Sequence, residues 1–145
     1  MENNNKYYTP EIEEFYVGFE YEVYNWGGWM KQIYEQNSFL QMWGDEYEFE
    51  KIEPGYIRVK YLDKEDVESL GWVVELFDLP SGDSRSVYKL GHHVITSWIV
   101  YDDNGLTIDI STLPQLNNGS LNRVFRGKLK NKSELKKLMK QLGIL

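Results

Sequence analysis

Residues 15–24 read Phe-Tyr-Val-Gly-Phe-Glu-Tyr-Glu-Val-Tyr, and their period decides the fold. Phe15, Val17, Phe19, Tyr21 and Val23 fall on one face at a spacing of two, with Tyr16, Gly18, Glu20, Glu22 and Tyr24 on the other. Such alternation fits a half-buried β-strand, because successive side chains of a strand point to opposite faces. Asn25-Trp26-Gly27-Gly28 follows, and its glycines tolerate the positive φ of a tight hairpin. Residues 29–35 are therefore expected to return as a second strand.

The same period recurs along the chain. Residues 46–52 alternate, Pro54-Gly55 marks a turn, and residues 56–62 set Ile57, Val59 and Tyr61 against Arg58 and Lys60. Residues 36–45 read as a loop or short helix. The period then changes: residues 63–71 predict a two-turn helix, with Asp63 as N-cap, acidic residues in the first turn and Gly71 past the end. Strands are expected over 72–79, 86–90, 93–101, 106–110 and 122–129. Pro80-Ser81-Gly82-Asp83 and Asp102-Asp103-Asn104-Gly105 supply turns, and residues 111–121 form a polar loop. Over 133–142, Leu135, Leu138, Met139 and Leu142 make one apolar helical stripe, capped by Ser133 and ended by Gly143. Short connections imply antiparallel pairing. The expected fold is α+β: a single domain spanning 1–145, a curved antiparallel sheet or open barrel of about eight strands, a short middle helix and a C-terminal amphipathic helix laid over one face.

Composition sets limits on function. The 145 residues include no cysteine, which excludes disulfides, thiolate metal sites and a thiol nucleophile. No run approaches the roughly 18 apolar residues of a membrane span. The opening Met1-Glu2-Asn3-Asn4-Asn5-Lys6 lacks the apolar core of a secretory signal, so a cytoplasmic protein is expected. Aromatic residues reach 15%, and 16 of the 22 lie within 1–61. The net charge of −7 hides a division: residues 1–83 carry −13 and residues 84–145 carry +6. Within 122–140, eight basic residues face Glu134 alone.

Motifs with chemistry are few. His92-His93 would point to opposite faces of a strand and could not chelate one metal. Glu46, Glu48 and Glu50 line one strand face, the pattern of a solvated surface. Asp102-Asp103-Asn104-Gly105 lacks the ligand spacing of a calcium loop. There is no nucleophile elbow, phosphate-binding glycine loop or dinucleotide fingerprint. No catalytic residue, metal site or cofactor is expected. Arg123, Arg126 and Lys128 are the candidate anion ligands, because guanidinium groups bind phosphate through two parallel hydrogen bonds. Lys128, Lys130 and Lys132 would share a face if the last strand ran that far. Trp26 and Trp29, flanking the glycine turn, and Trp98 are the candidate stacking rings. The acidic remainder argues against long nucleic acid.

Three segments carry a resemblance. They are residues 7–20 (Tyr-Tyr-Thr-Pro-Glu-Ile-Glu-Glu-Phe-Tyr-Val-Gly-Phe-Glu), residues 60–71 (Lys-Tyr-Leu-Asp-Lys-Glu-Asp-Val-Glu-Ser-Leu-Gly), and Phe125-Arg126-Gly127-Lys128-Leu129 running into residues 133–138. Together they resemble small accessory proteins of phages and prophages of gut-type bacteria. That group has no catalytic signature, so no functional residue is carried over. The resemblance implies a protein that binds and blocks a host component, nucleotide signals of antiviral defence among them. The expected function is a non-enzymatic binding protein, an oligomer with sites between subunits, that sequesters a small phosphorylated ligand in the host cytoplasm. The alternative is a blocker of a host protein that uses the acidic, aromatic N-terminal half.

Overall fold

The computed structural model describes residues 6–25, 27–35, 55–78, 81–82, 84–100, 106–113 and 121–145, with side chains described for all of these except 25, 77–78, 84–85, 97–100 and 106. The chain divides into two compact units, Met1–Tyr61 and Leu62–Leu145. The division falls where the aromatic residues thin out. Trp26, the 36–45 segment, the expected strand at 46–52 with its three glutamates, and the 102–105 turn lie outside the described residues.

The first unit contains β1 (Tyr7–Tyr8), one 3-10 turn (Ile12–Glu14), β2 (Glu20–Asn25), β3 (Gly28–Ile33) and β4 (Ile57–Lys60). They form an antiparallel sheet in the order β1-β4-β2-β3. Asn25 pairs with Gly28, so the predicted tight hairpin is present, and Gly28 takes a positive φ of 140°. Ile57 and Val59 are buried, as their alternation with Arg58 and Lys60 requires.

The strand expected over 15–24 is half as long. Only its second part is strand; the chain turns at Val17-Gly18, with Gly18 at φ +95°. Phe19 N–H donates to the Tyr16 carbonyl (2.9 Å), and Gly18 N–H to the Tyr34 carbonyl (2.7 Å). The reason is aromatic packing. A straight strand would hold Phe15 about 13 Å from Phe19. The turn brings their ring centroids to 5.0 Å and sets Phe15 against Tyr21 (5.2 Å) and Tyr34 (5.7 Å). This cluster, centred on Phe19, Tyr34 and Val59, is the core of the unit. Val17, placed inside by simple alternation, is 64% exposed as a result.

The second unit opens with α1 (Lys64–Ser69), followed by β5 (Val73–Asp78), β6 (Ser84–Leu90), β7 (His93–Val100), β8 (Leu106–Thr112), β9 (Asn122–Leu129) and α2 (Lys132–Gln141). The strands form an antiparallel meander in sequence order. Asp63 caps α1 as expected: its carboxylate accepts from Asp66 N–H (3.0 Å), and Asp66 reciprocates (3.3 Å). Gly71 follows at φ +96°. Both helices supply the core, where Val67, Leu135 and Met139 pack with Ile95, Ile108, Ile110, Trp72 and Leu129. The cap of α2 is Asn131 and not Ser133. Asn131 Oδ1 accepts from Glu134 N–H (2.9 Å), because a capping oxygen must sit three residues ahead of the N–H it satisfies, and Ser133 is already inside the first turn.

The α+β class, antiparallel pairing and two helices are as the sequence predicts. The nine described strands fall in two sheets, and among the described residues neither closes into a barrel. Among the described residues, no helix is long and apolar enough to cross a membrane.

Candidate anion-binding site

β8 and β9 pair with Thr107 opposite Lys128, Asp109 opposite Arg126 and Ile110 opposite Phe125; the register then shifts, and Ser111 lies opposite Arg123. Val124 is the extra residue of a β-bulge. In a regular strand, residues three apart face opposite sides, so Arg123 and Arg126 would be separated by the sheet. The bulge returns Arg123 to the side of Arg126. One row therefore holds Arg123, Arg126 and Lys128, beside Ser111, Asp109 and Thr107 of β8. The other side of β8 and β9 carries Ile108, Ile110, Phe125 and Leu129, which pack in the core.

Asp109 is the anchor of this row. It is 8% exposed, and its Oδ1 lies 3.5 Å from Arg123 Nε and 3.7 Å from Arg126 Nε. These are ion-pair distances without a hydrogen bond, and among the described residues Oδ1 has no hydrogen-bond partner. Taking a carboxylate out of water is costly unless charge compensates it, so the two guanidinium groups are held to it electrostatically. Both arginine side chains remain 57% exposed. Each pair contributes little stability at that exposure, in the range of about 0–1 kcal/mol. The arrangement is better suited to orienting the arginines than to holding the fold. Each approaches Asp109 through Nε, and among the described residues no further hydrogen bond or ion pair engages their remaining N–H groups.

Lys128 is exposed and extends the row, but Lys130 and Lys132 do not join it. The strand stops at Leu129, Lys130 N–H donates to Glu134 Oε2 (2.6 Å), and Lys132 is the first residue of α2.

The candidate rings are placed differently. Trp29 belongs to the first unit, in β3, edge-on to Tyr24 at 5.4 Å. The Arg58 guanidinium lies over its ring at 4.1 Å and over the Tyr7 ring at 3.7 Å, while Arg58 Nε donates to Glu22 Oε2 at 2.6 Å. Trp29 thus already carries a cation. Trp98 lies in β7 opposite Ile108, its side chain outside the described residues, as is Trp26. Arg123, Arg126 and Lys128 come together; the three tryptophans are not assigned to them.

Sequence reading missed Asp109 and Arg58. A signal for Asp109 exists in Thr107, Asp109 and Ser111, polar at every second position of an otherwise apolar strand. His92 sits exposed in the turn after Gly91, and His93 opens β7 opposite Thr112. Among the described residues, no three His, Asp or Glu side chains cluster to hold a metal ion. Comparison with protein-family models, characterised proteins and solved structures finds no match to this chain.

Proposed function

We propose that the protein is a non-enzymatic binding protein that captures a small phosphorylated ligand, such as a nucleotide signal, on the β8–β9 face. The β9 bulge carries this reading: it sets two arginines on one side, around one buried carboxylate. Their forked N–H donors match the oxygens of a phosphate, and Lys128 adds a third positive charge. Such a site needs no nucleophile or general base. The resemblance to phage accessory proteins gives the context, sequestration of a host signal in the cytoplasm.

The test is thermal shift and calorimetry of the full chain against inorganic phosphate and mono-, di- and cyclic nucleotides at about 1 mM. Stabilisation by at least one, abolished in an Arg123→Ala, Arg126→Ala double variant, is expected. If none of the panel stabilises the protein, the reading fails. Asp109→Asn probes the anchor: binding should weaken as the arginines lose their orienting charge.

A second reading has its own support in the first unit. Arg58 is clamped between Tyr7 and Trp29, and Tyr24, Met30, Ile33 and Tyr56 are exposed. The excess of acidic side chains within residues 1–61, together with these aromatic side chains, suits a blocker of a basic host protein. Salt-sensitive capture of one host protein, lost in Arg58→Ala and kept in the Arg123/Arg126 double variant, would favour it.

A further inference from the structure

The five-stranded sheet has two outer strands, and they are treated differently. Exposed edges are normally protected by charge, bulges or proline, because their unpaired backbone groups invite another strand. β9 has both a bulge and three cationic residues. β5 has no bulge, proline or cationic residue, and its charged side chains are Glu75 and Asp78. Its six residues pair with β6 in unbroken register from Val73↔Lys89 to Asp78↔Ser84, and among the described residues it has no second partner strand. Val73 is 61% exposed on one face; Val74 (46%) and Leu76 (74%) are exposed on the other. In the four-stranded sheet the outer strand β3 carries Lys31, and β1 has only two residues.

We infer that β5 is a dimerisation edge, pairing antiparallel with β5 of a second copy with Val74 opposite Val74. A two-fold axis through such a joint keeps each face of the sheet on its own side, so opposed residues must share a face. Three central registers satisfy this. One centred on Glu75 opposes two carboxylates, which is destabilising. One centred on Leu76 sets Asp78 of each copy opposite Val74 of the other. The Val74 register pairs valine with valine and places Leu76 opposite Trp72. It also matches charge. Lys89 already pairs with Glu75 of its own copy (3.5 Å). It flanks Val73, which would lie opposite Glu75 of the second copy, so that carboxylate comes about 10 Å away by backbone, two strand spacings and within reach of both side chains. Each Lys89 then serves two glutamates. Residues 62–145 hold equal numbers of acidic and basic side chains, so the joining units carry no net repulsion. Because β9 is the opposite edge of the sheet, each anion site would stay complete within its own copy.

The natural chain has no cysteine, which makes cross-linking specific. Sedimentation of the full chain at about 100 µM should show a dimer, since a modest edge interface is populated in that range. Val73→Lys and Leu76→Lys should each give monomers with an unchanged circular dichroism spectrum, because both positions are already exposed. Val74→Cys should oxidise to a covalent dimer. Leu76→Cys should not, as the two sulfurs would be carried by residues about 13 Å apart along the joint. A monomeric natural chain overturns the inference. So does a dimer that survives both lysine substitutions, or one that cross-links through position 76 in preference to 74.

Discussion

Trp72 points its indole Nε1–H at the sulfur of Met139, 3.4 Å away and 67 positions along the chain. Trp72 precedes β5 and Met139 lies in α2, so the contact closes the second unit from its first strand to its last helix. Both side chains are buried. Met139→Ala should cost about 2–5 kcal/mol through the cavity it leaves. Met139→Leu keeps the volume but removes the acceptor, and should cost about 1–2 kcal/mol. Chemical denaturation followed by circular dichroism gives both values. Equal losses for the two variants would show that filling the core volume is not what Met139 does.

Arg58 is held by three partners at once: Glu22 and the rings of Tyr7 and Trp29. Arg58→Lys keeps the charge and loses the planar stack, at a cost of about 1 kcal/mol. A double-mutant cycle of Arg58→Ala with Trp29→Leu should give a coupling of roughly 0.5–2 kcal/mol. Simple additivity of the two variants would mean the stack is geometrical only.

Gly127 is required by its neighbour, not by its backbone. A Cβ there would meet Phe125 Cζ at 2.7 Å, because the ring of Phe125 lies over the glycine two residues on. Gly127→Ala should therefore push Phe125 out of its place and cost about 1–3 kcal/mol, read as a lower melting temperature. Adding Phe125→Leu should recover part of that loss. If the second substitution only adds to the first, the ring is not the obstacle.

Two buried tyrosines contribute to the stability at high pH. Burial raises the phenol of Tyr34, and burial together with the negative charge of Glu68 raises that of Tyr88. Both are neutral in the fold and hold their protons more tightly than the unfolded chain does. Stability from these groups is fully present below about pH 10 and falls as the pH rises past the unfolded value toward the folded ones. Glu68→Gln should bring the Tyr88 transition to lower pH, seen as earlier phenolate absorbance. Unchanged titration in that variant would remove Glu68 as a cause.

Much of the second unit was legible. β9 occupies 122–129 as expected, and the Asp63 cap and the α2 stripe follow from local rules that act within a few residues. The failures are of another kind. The turn at Gly18 departs from a clean alternating pattern because Phe15 has to reach Phe19 and Tyr34. The α2 cap falls two residues earlier because the helix already begins at Lys132, which leaves Ser133 inside the first turn and Asn131 in reach of Glu134 N–H. The candidate site was half legible. The basic run pointed to Arg123, Arg126 and Lys128, but the spacing of the two arginines argues against a shared face until the bulge is known.

The sequence by itself determined the class of fold, the order of the elements in the second unit and the position of the positive charge, since periodicity, capping and composition are local properties. Tertiary structure alone decided that Arg123 and Arg126 stand on one side around Asp109, and that Arg58 lies between Tyr7 and Trp29. Both depend on register between strands. One extra residue in a strand inverts which face a side chain occupies, and that choice is made by packing against the neighbouring strand.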